Sequence, residues 1–214
     1  MKFFKILPLL ILFIGFYSFT EVDDTKSKEI LTKVSEKIQS YKNVKIDFTH
    51  QMIDEANGID ESIKGTIIMK GKSINLKMMG QTIISDGKTV WSYNPEFEEL
   101  QIMNADEGSE ALNFFDLIVN FDESFKTQLI KTITEEGQSF YIIDLRPKEG
   151  KAYYKIRVKI NTKTHDIKSG TIFNKDKAEF RYTVDNLEPN VNVTESTFTF
   201  NEGDYPDADI IDLR

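Results

Sequence analysis

Along most of this chain apolar and polar residues alternate one by one, and helical spacing interrupts that alternation in two places. The first is near the start. Ile30, Leu31, Val34, Ile38 and Tyr41 recur at 3.6-residue spacing with Lys, Glu and Ser between them. Asp23 or Asp24 supplies an N-cap carboxylate, so a helix is predicted from Thr25 to Tyr41, ended by Asn43. Its single apolar stripe must lie on something. Alternation then takes over, with Val44, Ile46, Phe48 and His50 pointing one way and Lys45, Asp47, Thr49 and Gln51 the other. Met52 to Glu61, containing Asn57-Gly58, reads as a connecting loop. Ile63, Gly65, Ile67 and Met69 form the next row, in which Ile68 breaks the pattern and predicts partial cover on the second face. Gly71-Lys72 turns the chain into Ile74, Leu76 and Met78.

A hairpin follows. Gln81–Ser85 reads as a strand, Asp86-Gly87 as a two-residue turn, and Thr89–Tyr93 as a β-branched and aromatic strand that Asn94-Pro95 stops. Leu100–Met103 is a further short strand. The second helical stretch is Ser109 to Val119, with Ala111, Leu112, Phe115, Ile118 and Val119 in register and Phe114 beside them; Asn120–Phe125 predicts a short helical piece. Strands resume over Lys126–Glu135, Gln138–Arg146, Ala152–Asn161, Ile167–Phe173 and Ala178–Val184, joined by hairpin-length links. The Asp-rich end is either a tail or a last strand through Ile210-Ile211. The expectation is a mainly β, α+β chain of about ten antiparallel strands with at most three helices packed across a face. A sheet that large must bury its inner face, and so few helices cover it only in part. A groove between sheet and helices is expected.

Composition narrows the function. The chain has 214 residues, 40% hydrophobic and 29% charged, which suits one domain with a sizeable core. Met1-Lys2-Phe3-Phe4-Lys5 followed by the apolar run Ile6–Phe19 predicts a signal peptide over 1–20, with Ser18 and Thr20 before the cut and a single domain over 21–214. An uncleaved N-terminal anchor is the alternative. With no cysteine, the chain carries no lipid-accepting thiol and no disulfide. Without the first 20 residues, 25 basic face 35 acidic side chains, a net charge of −10. That acidity argues against nucleic acid and against simple adhesion to anionic lipid. The motifs of hydrolases, zinc peptidases and phosphate-binding loops are missing, and His50 and His165 stand on a strand and in a turn. The Asp204–Asp212 carboxylates lack calcium-loop spacing. No enzyme activity, metal or cofactor is expected.

The wording of the hairpin carries a resemblance. SDGKTVWSYNP, at 85–95, resembles the signature hairpin of the periplasmic lipoprotein carrier (LolA-like) family. An N-terminal amphipathic helix, NVKIDFTHQ, a strand running from Gly65 to Lys70 and, near the end, Phe198-Thr199-Phe200 occur in the family's order. The resemblance implies an unclosed, strongly curved antiparallel barrel whose mouth is lidded by helices and whose concave apolar face holds lipoprotein acyl chains. It implies a periplasmic monomer that receives cargo from an inner-membrane ABC-type release complex and passes it to an outer-membrane acceptor. The residues assigned to the cavity are Phe48, Ile67, Met69, Leu76, Met78, Leu112, Phe114 and Phe115. Met79, Met103, Trp91, Phe121 and Phe125 extend the candidate lining. Flexible Met side chains suit cargo of variable shape, although the same stripe would also fill an ordinary core. Binding of other lipids or glycolipids, or a sensor or scaffold role with a protein partner, are the alternative uses of such a fold. One departure stands out: Lys70-Gly71-Lys72 occupies the place where carriers have an Arg-Pro pair linking barrel to lid. Trp91 is expected to anchor the sheet under Ile30, Val34 and Ile38.

Overall fold

The computed structural model describes residues 24–105, 121–201, 203 and 205–214. Helix α1 (Thr25–Gln39) precedes β1 (Val44–Asp54), β2 (Ile59–Lys70), β3 (Ser73–Met78), β4 (Gln81–Ser85), β5 (Thr89–Asn94) and β6 (Glu99–Asn104). The one-turn α2 (Phe121–Ser124) leads into β7 (Phe125–Glu135), β8 (Gln138–Pro147), β9 (Tyr153–Asn161), β10 (Ile167–Asn174) and β11 (Glu179–Pro189), and β12 (Asp209–Asp212) ends the chain. These twelve strands form one sheet in the order β12-β6-β5-β4-β3-β2-β1-β11-β10-β9-β8-β7. Its edges, β12 and β7, do not pair, so the sheet is unclosed. The predicted Ser109–Val119 helix falls outside the described residues.

Two antiparallel meanders, β1–β6 and β7–β11, are sewn together by β1 and β11, from Val44 opposite Pro189 to Ile53 opposite Glu179. The β1–β2 hairpin is longer than the alternation foretells. Met52–Asp54 and Ile59–Glu61 are strand, and only Glu55–Gly58 turns. Asp54 closes that turn by accepting from Ala56 N at 3.1 Å and Asn57 Nδ2 at 2.6 Å. The pattern fades there because both strands run out beyond the core. The Ile210-Ile211 segment is a strand, and it runs parallel to β6.

The β4–β5 turn is displaced by one residue from the Asp86-Gly87 expectation. Asp86 N donates to Thr89 O at 3.3 Å, which leaves Gly87-Lys88 at the tip. Gly87 takes φ +90°, the pattern of a turn with Gly at its first central position. Asp86 instead flanks the tip, and its carboxylate accepts from Lys88 N and Thr89 N, both at 2.8 Å.

Helix α1 is pinned at both ends to one face of the sheet. Asp24 caps it, accepting from Lys26 N at 3.0 Å while its other oxygen takes Leu129 N of β7 at 3.2 Å. Ser27 and Thr127 hydroxyls meet at 2.7 Å, both buried. At the far end Lys37 Nζ donates to Thr164 O at 2.7 Å and pairs with Asp166 at 2.5 Å. Ser40 ends the helix three residues before Asn43 by bonding back to Glu36 O and Lys37 O. Between these ties Ile30, Leu31 and Val34 pack on Ile143, Leu145, Ile156, Val158, Ile160 and Ile167. Phe121 and Phe125 belong to the same buried cluster.

Candidate functional site

Strand pairing assigns each side chain to a face, because directly opposed residues point the same way. Ile46, Ile67, Leu76 and Ile83 form one row across β1–β4, and Val44, Met69 and Ile74 form the next. Phe48, Gly65 and Met78 make the third. On the other flank Leu187 and Val184 continue the rows through β11. Phe48, Ile67, Met69, Leu76 and Met78 are thus brought together in one apolar patch with Val44, Ile46 and Val184. Leu112, Phe114 and Phe115 fall outside the described residues.

Phe48 is held in a particular way. A Cβ on Gly65 would come within 2.6 Å of its Cζ, so the ring lies directly on the glycine backbone. The ring is only 7% exposed. Where the C-terminal half of α1 crosses the patch, Val34, Ile38, Tyr41, Val44, Ile46, Met69 and Leu187 line a cavity of about 20 Å³. That is room for about one water. Farther along the same face Ile63, Met78, Ile83 and Tyr182 are half-buried.

His50 is a polar residue on this face. It lies two residues beyond Phe48 on β1, opposite Ile63 and Tyr182. Its ring stacks with Phe180 at 6.0 Å and tilts against Tyr182 at 4.8 Å. Nδ1 is buried and has no hydrogen-bond partner. Burial lowers the pKa of the imidazole and raises that of the Tyr182 phenol, so both are neutral near pH 7. No group of three or more His, Asp or Glu suited to a metal ion occurs among the described residues.

The opposite face is covered differently. Ile84, Trp91 and Ile102 form a row there, packed with Leu100, Tyr93, Phe200, Tyr205 and Ala208. Trp91 therefore does not lie under Ile30, Val34 and Ile38, which sit on the other side of the sheet. The C-terminal segment takes that place: Asn75 Nδ2 donates to Thr197 O at 2.7 Å, and Phe198 and Phe200 are buried. This also accounts for Ile68, whose face is the covered one. Lys70 shares it and pairs with Glu195 at 2.5 Å, so this lysine ties the sheet to the C-terminal segment. Met79, in the β3–β4 turn with φ +57°, is 66% exposed and lines nothing. Met103 is opposite Val90, on the face of α1. Farther along the outer face, buried Asp144 accepts both Arg157 Nε at 2.6 Å and Nη2 at 2.9 Å.

The residues missed by pattern reading are Tyr182, Val184 and Leu187 of β11. Tyr182 and Val184 alternate with polar neighbours, yet nothing in that alternation says that β11 pairs with β1.

The fold defines the class: one unclosed, mostly antiparallel sheet whose apolar face is crossed by a pinned helix. The profile of the family described as "Outer membrane lipoprotein carrier protein LolA" matches residues 39–201. The chain belongs to this family. No curated protein matches it in sequence. Among solved structures, an uncharacterized conserved protein from Thermus thermophilus is similar with a TM-score of 0.59 and 12% identity, over 87% of this chain and 99% of that one. A putative outer membrane lipoprotein-sorting protein domain from Vibrio parahaemolyticus gives a TM-score of 0.49 at 11% identity, over 81% and 96%. The Mycobacterium tuberculosis lipoprotein LppX gives 0.49 at 13%, over 78% and 100%. At such identities the likeness to the Thermus protein is one of fold.

Proposed function

We propose that this chain is a soluble periplasmic carrier that shields the acyl chains of outer-membrane lipoproteins from water while they cross between membranes. The observation that carries the reading is the patch of Phe48, Ile67, Met69, Leu76 and Met78 on the face that α1 crosses. Alkyl burial at about 0.8 kcal/mol per CH₂ retains such cargo without a charged anchor. The cavity of about 20 Å³ under α1 is too small for an acyl chain. Entry therefore requires the far end of α1 to lift, and its Lys37–Asp166 tie is a half-exposed ion pair that costs little to open. Leu112, Phe114 and Phe115 are proposed to contact the cargo as well. Residues 1–20 would be removed on export. The partners in this reading are acylated lipoproteins, an inner-membrane ABC-type release complex and an outer-membrane acceptor, and no catalysis is involved.

Native mass spectrometry of protein purified from its own periplasm tests this. A co-purifying triacylated peptide supports it, together with a mature N-terminus near Glu21. Intact Met1 in the membrane fraction, or failure to bind any long-chain amphiphile, overturns it. A free lipid or glycolipid in place of the peptide would support a second reading, a lipid carrier. Lys70-Gly71-Lys72, standing in place of the carriers' Arg-Pro, favours that reading, as Lys70 pairs with Glu195 of the C-terminal segment.

A further inference from the structure

The unpartnered nitrogen of His50 points to how a cargo chain is oriented. A buried hydrogen-bonding atom without a partner within the protein is unfavourable, and a bound water or ligand supplies the missing bond. His50 Nδ1 is such an atom, and it follows Phe48 along the apolar face of β1, with Met52 beyond it. Ile46, near the helix end of the same strand, lies four residues away. At about 3.3 Å per residue that is roughly 13 Å of strand. Ile46, Phe48, Ile67, Leu76 and Val184 make this stretch apolar. A chain laid along β1 therefore meets apolar side chains from the α1 end as far as the His50 ring.

Given the carrier reading above, we propose that His50 is a positioning and specificity residue: it donates Nδ1–H to the carbonyl oxygen of a bound ester or amide, with the alkyl tail running toward α1. Acyl groups offer carbonyl acceptors at their head end, so the tautomer protonated on Nδ1 is the one used. Phe180 and Tyr182 of β11 both pack against the ring. The site thereby distinguishes an acyl group from a plain hydrocarbon of the same length. The residues on the opposite face, Lys70 and Trp91 included, have no part in it.

The test compares a straight-chain alkane with the fatty-acid methyl ester of equal chain length. Both compete for a fluorescent apolar probe on the full mature chain, as wild type, His50→Phe and His50→Gln. One neutral hydrogen bond corresponds to an ester preference of about three- to tenfold. The wild type is expected to show that preference and a lowered carbonyl stretching frequency for bound ester. In His50→Phe, which keeps a ring against Phe180 and Tyr182, the ester-to-alkane ratio should fall to about one and the frequency shift should vanish. His50→Gln, which retains a donor, should recover part of both. Binding of both ligands by the wild type with equal affinity and an unshifted carbonyl overturns the proposal while leaving the carrier reading intact. Binding of neither ligand overturns both. A ratio and shift that survive in His50→Phe place the donor elsewhere and also overturn it.

Discussion

Replacing Gly65 by alanine probes the packing that shapes the patch. The added methyl would sit 2.6 Å from Phe48 Cζ, 3.0 Å from Cε1 and 3.1 Å from Cε2, so the ring must swing away. Overpacking of this kind costs about 1–3 kcal/mol. Alanine in a strand interior returns about 0.5–1 kcal/mol relative to glycine. Gly65→Ala should therefore destabilise the protein by about 1–2 kcal/mol. Phe48→Ala removes a buried ring that contacts the β1–β3 and β11 cluster and should cost about 3–5 kcal/mol. The informative quantity is the cycle. Once Phe48 is truncated the clash is gone, so adding Gly65→Ala to Phe48→Ala should be neutral or stabilising by up to about 1 kcal/mol. The two sites should couple by about 1–3 kcal/mol, within the range for residues in contact. Urea unfolding of the four proteins, compared at unchanged denaturant slope, measures it. If Gly65→Ala costs the same with and without the Phe48 ring, the ring does not rest on the glycine and the described shape of the patch is wrong.

Four other outcomes are expected. Trp91→Phe should lower stability by about 1–3 kcal/mol through lost packing against the Phe200 cluster, and saturating lipid should leave Trp91 emission unchanged; a saturable shift would place the indole in the cargo site. Asp86→Ala removes the carboxylate that holds Lys88 N and Thr89 N, and whose pKa those N–H groups depress, Thr89 first; a loss of about 1–2 kcal/mol is expected in urea titration, and an unchanged midpoint would deny the turn its cap. Lys37→Ala should change stability by less than about 1 kcal/mol yet speed uptake of an apolar probe in stopped flow, whereas unchanged uptake would mean that α1 is not the gate. The His50 pKa is lowered by burial, so as pH falls below the ordinary value of 6.5 the unfolded chain takes up its proton first. Stability is then fully present above that pH and is lost as pH falls toward the folded pKa; His50→Phe should remove part of that slope in unfolding curves across about pH 5–7.5, and identical slopes would refute the burial argument.

Much of the local structure is readable from residues a few positions apart. An aspartate cap at 23 or 24, the bounds Gln81–Ser85, and the rows Val44-Ile46-Phe48 and Ile74-Leu76-Met78 follow from side-chain chemistry and the two-residue pleat. The hairpin at 85–95 is read the same way, with its turn one residue off, whereas the family rests on the resemblance of its wording. What sequence alone could not decide is everything that depends on which strand meets which. The β1–β11 seam joins residues more than a hundred positions apart, and no periodicity encodes a partner at that distance. Tyr182, Val184 and Leu187 therefore entered the patch only through the tertiary structure. The face of Trp91 is the sharpest case. A slip of one residue moves a side chain to the other side of a sheet, and both sides here are covered, one by α1 and the other by the C-terminal segment. Pairing of Trp91 with Ile84 and Ile102, on the side that Phe200 and Tyr205 close, is what puts the indole opposite the helix.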